Sequence, residues 1–369
     1  MRSLRVYQAR APVLFAQAHD SCSELGHGCG GEIHCYPCRH PLQLPCFATD
    51  HSAKIGLIVS KSRLVFVVGA VRSGSTMLRL MLDSHPHISN PGEFDFLVDM
   101  LGARGETPDM VQYRRWLSMN RSFQSSALVL DPRLNYVELM HSFVQQLSKA
   151  GKVLTINVHR HFDRLRPLFP QAEYLHLIRD PRDVARSSIG MGWAGNIYSG
   201  VDIWTSAERS WDRLRTSLRA DQQLEVRYEA LVDDPVAELT RVCQFLGLEY
   251  SPSMLDYSAR STYAPPDGRL KYQWKSHCSP RELQLVDWKL GELLLQRNYQ
   301  QSGPGASRPA LMELLMIALE DKYRRVAFRI RRYGFALYLE SLLASRVRIS
   351  AWQQSCQSRI ERIDLTFLK

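Results

Sequence analysis

Eight residues between an apolar run and an amphipathic stretch carry the clearest chemistry in this chain: Gly69-Ala-Val-Arg72-Ser73-Gly74-Ser75-Thr76. The glycines let successive backbone N–H groups turn inward, making a concave donor surface that fits phosphate oxygens. A helix opening near Thr76 adds the positive end of its dipole. The frame is G-x-x-x-x-G-x-[ST], a nucleotide phosphate loop, in the strand-to-helix setting such a loop needs. It departs from triphosphate users at one place. They carry a lysine just before the final Ser/Thr, where this chain has Ser75, and the positive side chain here is Arg72 inside the loop. An Asp to hold Mg²⁺ after a later apolar strand is also not evident, because Arg179 comes first after Tyr174 to Ile178. A shorter 5′ group is therefore better served than a magnesium triphosphate, and no metal is expected.

A second segment, Tyr174-Leu-His-Leu-Ile-Arg179-Asp-Pro-Arg-Asp-Val-Ala-Arg-Ser187, joins another strand end to a helix. With Val68 to Pro86 it resembles the sulfotransferases that use 3′-phosphoadenosine 5′-phosphosulfate. The likeness is greatest to the branch with an R-S-G-T/S-T loop, which includes tyrosylprotein and many bacterial sulfotransferases. It extends over about residues 64–300, with a third matching stretch from Leu224 to Pro235 and Phe245 to Leu248. The resemblance implies a phosphate-loop α/β fold, with a central parallel sheet flanked by helices and a helical C-terminal extension. It also implies that Arg72, Ser73, Gly74, Ser75 and Thr76 hold the 5′-phosphosulfate, that Arg179 and Ser187 hold the 3′-phosphate, and that Tyr228 joins the nucleotide site. The implied reaction is in-line displacement onto an acceptor hydroxyl of a glycan, a metabolite or a tyrosine.

Such a reaction needs a base for the acceptor proton and donors for charge growing on the leaving phosphate. Arg72, Ser75 and the loop amides can supply the donors. Glu93, in Asn90-Pro-Gly-Glu93-Phe94, is the base the resemblance implies, with Asp95, His85 and His87 as weaker candidates. The two histidines better fit a role in fixing the turn around Pro86. Relatives carry K-[TD]-P after the second strand, where this chain reads Ile156-Asn157-Val158-His159-Arg160-His161, so Asn157 stands in place of the lysine. Either Arg160 or Lys152 compensates, or the enzyme is slow, or the fold holds nucleotide without turnover. A small-molecule kinase is a further class, and Ser75 speaks against it.

The elements around these motifs read plainly. Leu64 to Val68 is a continuous apolar run, as a buried parallel strand requires. Strands are expected over 153–158, 173–178 and 224–228. Helices are expected from Thr76 to about His85, over 136–149, from Pro181, over 204–219 and over 235–246. Strands alternating with helices imply a parallel sheet covered on both faces. The loops over 95–135, 190–205 and 258–280 are expected to choose the acceptor, with Met191-Gly-Trp193 and Tyr272-Gln-Trp274 able to stack on a ring or pack in the core.

The sequence divides into an irregular, Cys/His-rich segment over 1–58, a sulfotransferase-like domain over 59–300 and a basic helical extension over 301–369. The first segment holds five of the eight cysteines and five of the twelve histidines. Its Cys35-x-x-Cys38 is half of a zinc pattern without the second half, and the segment itself could be foreign to the natural protein. No run of eighteen apolar residues appears, and no cleavable leader is evident, so a cytoplasmic location is expected. From Asp321 to Lys369 eleven Lys/Arg face four Asp/Glu, giving +7 of the formal +10. That balance suits an acidic partner or a membrane surface. Interleaved aromatics forming a stacking face are missing from this tail, so nucleic acid is not expected. Leu311, Leu314, Leu315 and Ile317 are expected to pack on the core.

Overall fold

The computed structural model describes residues 63–303, 306–347 and 350–367. The expectations for residues 1–58 lie outside the described residues.

Five strands form one parallel sheet: β1 (Leu64–Val68), β2 (Ile88–Ser89), β3 (Val153–Val158), β4 (Glu173–Ile178) and β5 (Gln223–Arg227), in the spatial order β2-β3-β1-β4-β5. Alternate side chains of β1 serve opposite faces. Phe66 and Val68 join one apolar cluster, while Val65 and Val67 join the other. Both faces are covered, which is why this strand is apolar throughout. The longer helices are α1 (Ser75–Asp83), α2 (Met110–Leu117), α3 (Tyr136–Leu147), α4 (Pro181–Gly190), α5 (Ile197–Arg215), α6 (Tyr228–Asp233), α7 (Pro235–Phe245), α8 (Pro280–Leu290), α9 (Leu311–Tyr333), α10 (Phe335–Val347) and α11 (Ser350–Phe367).

β1 lies between β3 and β4, so the chain builds the sheet outward on both sides of it. A crevice at the carboxyl ends of β1, β3 and β4 follows from that order, and it is where open α/β sheets take ligands.

Several elements differ from the sequence reading, three of them near the site or the sheet edge. Helix α5 begins at Ile197, seven residues before the expected Trp204, because Asn196 caps it by accepting a hydrogen bond from Ser199 N–H. Tyr228 opens α6 instead of closing β5. The edge strand β2 is two residues long, too short to leave a periodic signal. The expectation for the tail also needs correction. Leu311 and Leu315 are exposed, because α9 meets the body through a different face.

Candidate active site

The loop after β1 is held in a conformation that favours ligand over comfort. Arg72 has φ 72°, a left-handed backbone that a side-chain-bearing residue adopts at a cost of about 1–2 kcal/mol. Gly74 has φ 95°, and a Cβ there would lie 2.4 Å from the Tyr228 ring. The turn closes with Ser73 N–H donating to Ala70 O at 3.2 Å, and α1 starts at Ser75. Ser73 is fully buried, yet its Oγ has no partner.

Residues from the second motif come onto this loop from over a hundred positions away. Arg72 Nε donates to Ser187 Oγ at 2.8 Å, and Arg179 Nη1 donates to Arg72 O at 3.2 Å. The Arg179 guanidinium also stacks 4.2 Å from the centre of the Tyr228 ring. Arg179, Asp183, Arg186, Ser187, Tyr228, Leu270 and Gln273 line a depression of about 260 Å³. Arg179 Nε and Arg186 Nη1 are buried there without hydrogen-bond partners. Unspent cationic donors beside a hydroxyl form a surface that fits an anion. Burial also pushes the Asp183 carboxyl up from the usual carboxylate range, which lessens its opposition to that anion.

Glu93 stands at the other side of the loop, by the end of β3. Its segment continues the sheet edge: Asn157 N–H donates to Gly92 O at 3.0 Å, and Phe94 N–H donates to Asn157 O at 2.9 Å. The Glu93 side chain is half exposed, and His159 Nε2 lies 3.4 Å from its carboxylate. The other ring nitrogen, Nδ1, is 3.2 Å from Gly69 O, so one buried imidazole bridges the phosphate loop and the carboxylate. Burial alone pushes the Glu93 carboxyl up. The contact and charge of His159, with Arg79 and Arg121, outweigh burial and hold it at about 2. Burial likewise pushes His159 down, but Glu93, Asp95 and the Gly69 carbonyl raise it to about 9.

The two residues named for compensation are engaged or placed as follows. Arg160 is tied to Asp99 Oδ2 at 2.6 Å and faces Asp95 at 3.3 Å. Lys152 precedes β3, at the opposite end of the strand from Asn157, roughly 16 Å away by strand rise. Asn157 is fully buried and donates to Ser75 O at 3.3 Å, while its Oδ1 accepts from Asn90 Nδ2 at 3.0 Å. The titratable side chain near this point is His159, two residues on and in step with the strand alternation. Period-two alternation could have found it. Leu270 and Gln273 had no such signal, since they arrive from a distant segment through Leu270 O, which accepts from Arg179 Nη2 at 2.8 Å.

The weaker candidates are occupied elsewhere. His85 Nδ1 accepts from His87 N–H at 3.1 Å, and its Nε2 is 2.9 Å from Glu249 O, so this pair fixes the Pro86 turn. Asp95 Oδ1 accepts from His159 N–H at 2.6 Å. Trp274 is buried, donates to Asp180 Oδ2 at 3.0 Å and stacks on Arg182 at 3.7 Å, so it packs in the core. Among the described residues, no group of His, Cys, Asp and Glu is placed to hold a metal ion.

The chain is similar to known proteins over much of its length. The chain is 26% identical to the nodulation protein NoeE of Sinorhizobium fredii, over 71% of this chain and 72% of that one. It is 24% identical to protein-tyrosine sulfotransferase A of Caenorhabditis elegans, over 53% of each. It thus spans about half the length of that relative. Among solved structures, the sulfotransferase domain from the curacin biosynthetic pathway superposes with a TM-score of 0.50 at 20% identity, covering 65% of this chain and 99% of that domain. A profile of the sulfotransferase family matches residues 65–252, from the start of β1 through the phosphate turn and the Arg179 segment to beyond α7. This chain is a member of the sulfotransferase family.

Proposed function

We propose that the chain transfers a sulfuryl group from 3′-phosphoadenosine 5′-phosphosulfate to an acceptor hydroxyl. The observation that carries this reading is the meeting of two distant motifs, Arg72 on Ser187 and Arg179 on Arg72, around buried donors that have no partner. The nucleotide, when bound, supplies an activated sulfuryl group and a stable phosphate leaving group. The amides of the 69–76 loop, with Arg72 and Ser75, hold its 5′ end. Arg179, Ser187 and Arg186 hold its 3′-phosphate, with Tyr228 stacked beside them. Glu93 accepts the proton of the acceptor hydroxyl, and His159 positions Glu93 against the loop. The donors that meet the growing phosphate charge are fixed before reaction, which is the property that stabilises a transition state.

The test is a titration of the full chain with adenosine 3′,5′-bisphosphate and with ADP, on wild type and Arg179→Ala. Strong preference for the bisphosphate, lost in the variant, is the expected result. Equal affinity for both nucleotides overturns the reading. Asn157 favours a second reading, a nucleotide binder without turnover, because a buried neutral amide stands where relatives place an ammonium. That reading predicts the same binding preference and no sulfate transfer to any hydroxyl acceptor supplied.

A further inference from the structure

Helix α9 is apolar on two sides. The face that meets the body is anchored by polar contacts beside apolar ones: Gly195 N–H donates to Asp321 Oδ1 at 2.7 Å, Asn196 Nδ2 donates to Ile317 O at 2.8 Å, and the Phe328 ring closes on Gly192. The approach is close, since a Cβ on Gly195 would lie 2.4 Å from Asp321 O. The Met191 to Asn196 segment is thereby a docking seat for this helix. The opposite face is apolar and open. Leu311, Leu315, Leu319 and Tyr323 repeat every four residues, with Met312 and Met316 beside them, and all six are more than half exposed. Helix α10 repeats the pattern with Phe335, Leu339, Leu343 and Val347. Ten of the seventeen large hydrophobics exposed among the described residues lie on these two helices, so the pattern is local and not a general surface property.

The charges on the same helices decide what covers the faces. Between 311 and 347 there are seven Lys/Arg and four Asp/Glu. All four acids are already paired: Glu313 with Arg281, Glu320 with Arg324, Asp321 with Arg325 and Glu340 with Arg359. Lys322, Arg329, Arg331 and Arg346 make no ion pair among the described residues. A second copy of the chain would bring these unspent cations against their equals, whereas an anionic surface would neutralise them. Exposed apolar stripes flanked by free cations are the features of helices that lie in a lipid interface. No helix among the described residues is long and apolar enough to cross a membrane, so contact is along the surface.

We propose that α9 and α10 form a docking surface for an anionic lipid bilayer, with the leucine, methionine and aromatic side chains entering the headgroup region. The test is co-sedimentation of the full chain with phosphatidylglycerol/phosphatidylcholine vesicles, against pure phosphatidylcholine vesicles, for wild type and the Leu315→Glu/Leu319→Glu variant. Both positions are exposed, so the variant is expected to fold, and retained adenosine 3′,5′-bisphosphate binding checks it. Wild type is expected to bind the anionic vesicles at least tenfold more tightly than the neutral ones, and the variant is expected to lose that binding. Equal partitioning of wild type and variant overturns the proposal. So does a stable wild-type dimer without vesicles that the same two substitutions dissolve, because the face would then belong to a second copy.

Discussion

At one end of the cleft, segments far apart in sequence converge on the phosphate loop through backbone geometry and arginine forks. Arg72, Arg179 and Ser187 meet directly, and the Tyr228 ring leaves room only for a glycine at position 74. The other end rests on a single ion pair, Glu93 with His159, and one of its members is half exposed. The first end is set chiefly by backbone conformation and by arginines whose charge is permanent. The second is set by two groups that titrate. Binding of nucleotide and transfer of sulfate should therefore come apart under mutation and under pH.

The sharpest separation is expected from Glu93→Gln. Removing a general base costs about 10²–10⁴ in rate, and Glu93 makes no contact with Arg179 or Ser187. Turnover should fall by that factor in a sulfate-transfer assay, with bisphosphate affinity unchanged. A joint loss of both would break the division between the two ends. The converse variant is Arg179→Ala. Truncating a buried, hydrogen-bonded charge costs about 2–5 kcal/mol, so affinity for adenosine 3′,5′-bisphosphate should drop by roughly thirty-fold to several thousand-fold, read by calorimetry. Affinity for ADP, which lacks the 3′-phosphate, should hardly move.

Next in size is the pH dependence of the ion pair. His159 is raised to about 9 from an ordinary 6.5, so its contribution to stability is fully present below about 6.5 and is lost as pH rises through 9. Glu93 is lowered to about 2 from 4.5, so its contribution is present above 4.5 and is lost as pH falls towards 2. The two shifts are one interaction seen from either partner and are not added. A shift of the His159 size corresponds to at most about 3 kcal/mol, and water at the half-exposed carboxylate screens part of it. Urea unfolding of wild type between pH 6.5 and 9.5 should show stability falling across that window. The same series on Glu93→Gln should be nearly flat, and a flat wild-type curve would remove the ion pair from the account.

The two ends were also unequally legible in the sequence. Strands β1, β3 and β4 could be bounded to the residue, because their β-rich, mostly apolar runs are closed by Gly69, His159 and Asp180-Pro181. The loop and the Arg179 segment carried their chemistry in local spacing. At the transfer end, what mattered was which residues share a strand face. His159 follows Asn157 by two, so it comes to the loop, while Arg160, the next residue, turns to Asp99 and Asp95. The lining from Leu270 and Gln273 depends on a fold-back of some ninety residues, and no local pattern encodes it. The outward stripe of α9 was visible as periodicity, but periodicity does not say which face meets the body. That was decided by Asp321 and Asn196, two polar residues with a backbone partner each.

The smallest effect tests whether Asn157 matters to transfer without being the missing cation. Its Oδ1 accepts from Asn90 Nδ2, and Asn90 Oδ1 in turn accepts from Gly92 N–H at 3.0 Å, the residue before Glu93. Asn157→Ala leaves the Asn90 amide buried with a donor unmet, which costs about 1–3 kcal/mol. The melting temperature should drop by several degrees. Because Asn90 steadies the turn that presents Glu93, turnover should also fall by a few-fold, while bisphosphate affinity holds. Phosphate-end contacts are then intact and the base is merely less well held. Lower nucleotide affinity in this variant would mean that the amide reaches the loop through Ser75 O more strongly than it reaches Glu93 through Asn90, and the boundary between the two ends would have to be redrawn on the near side of β3.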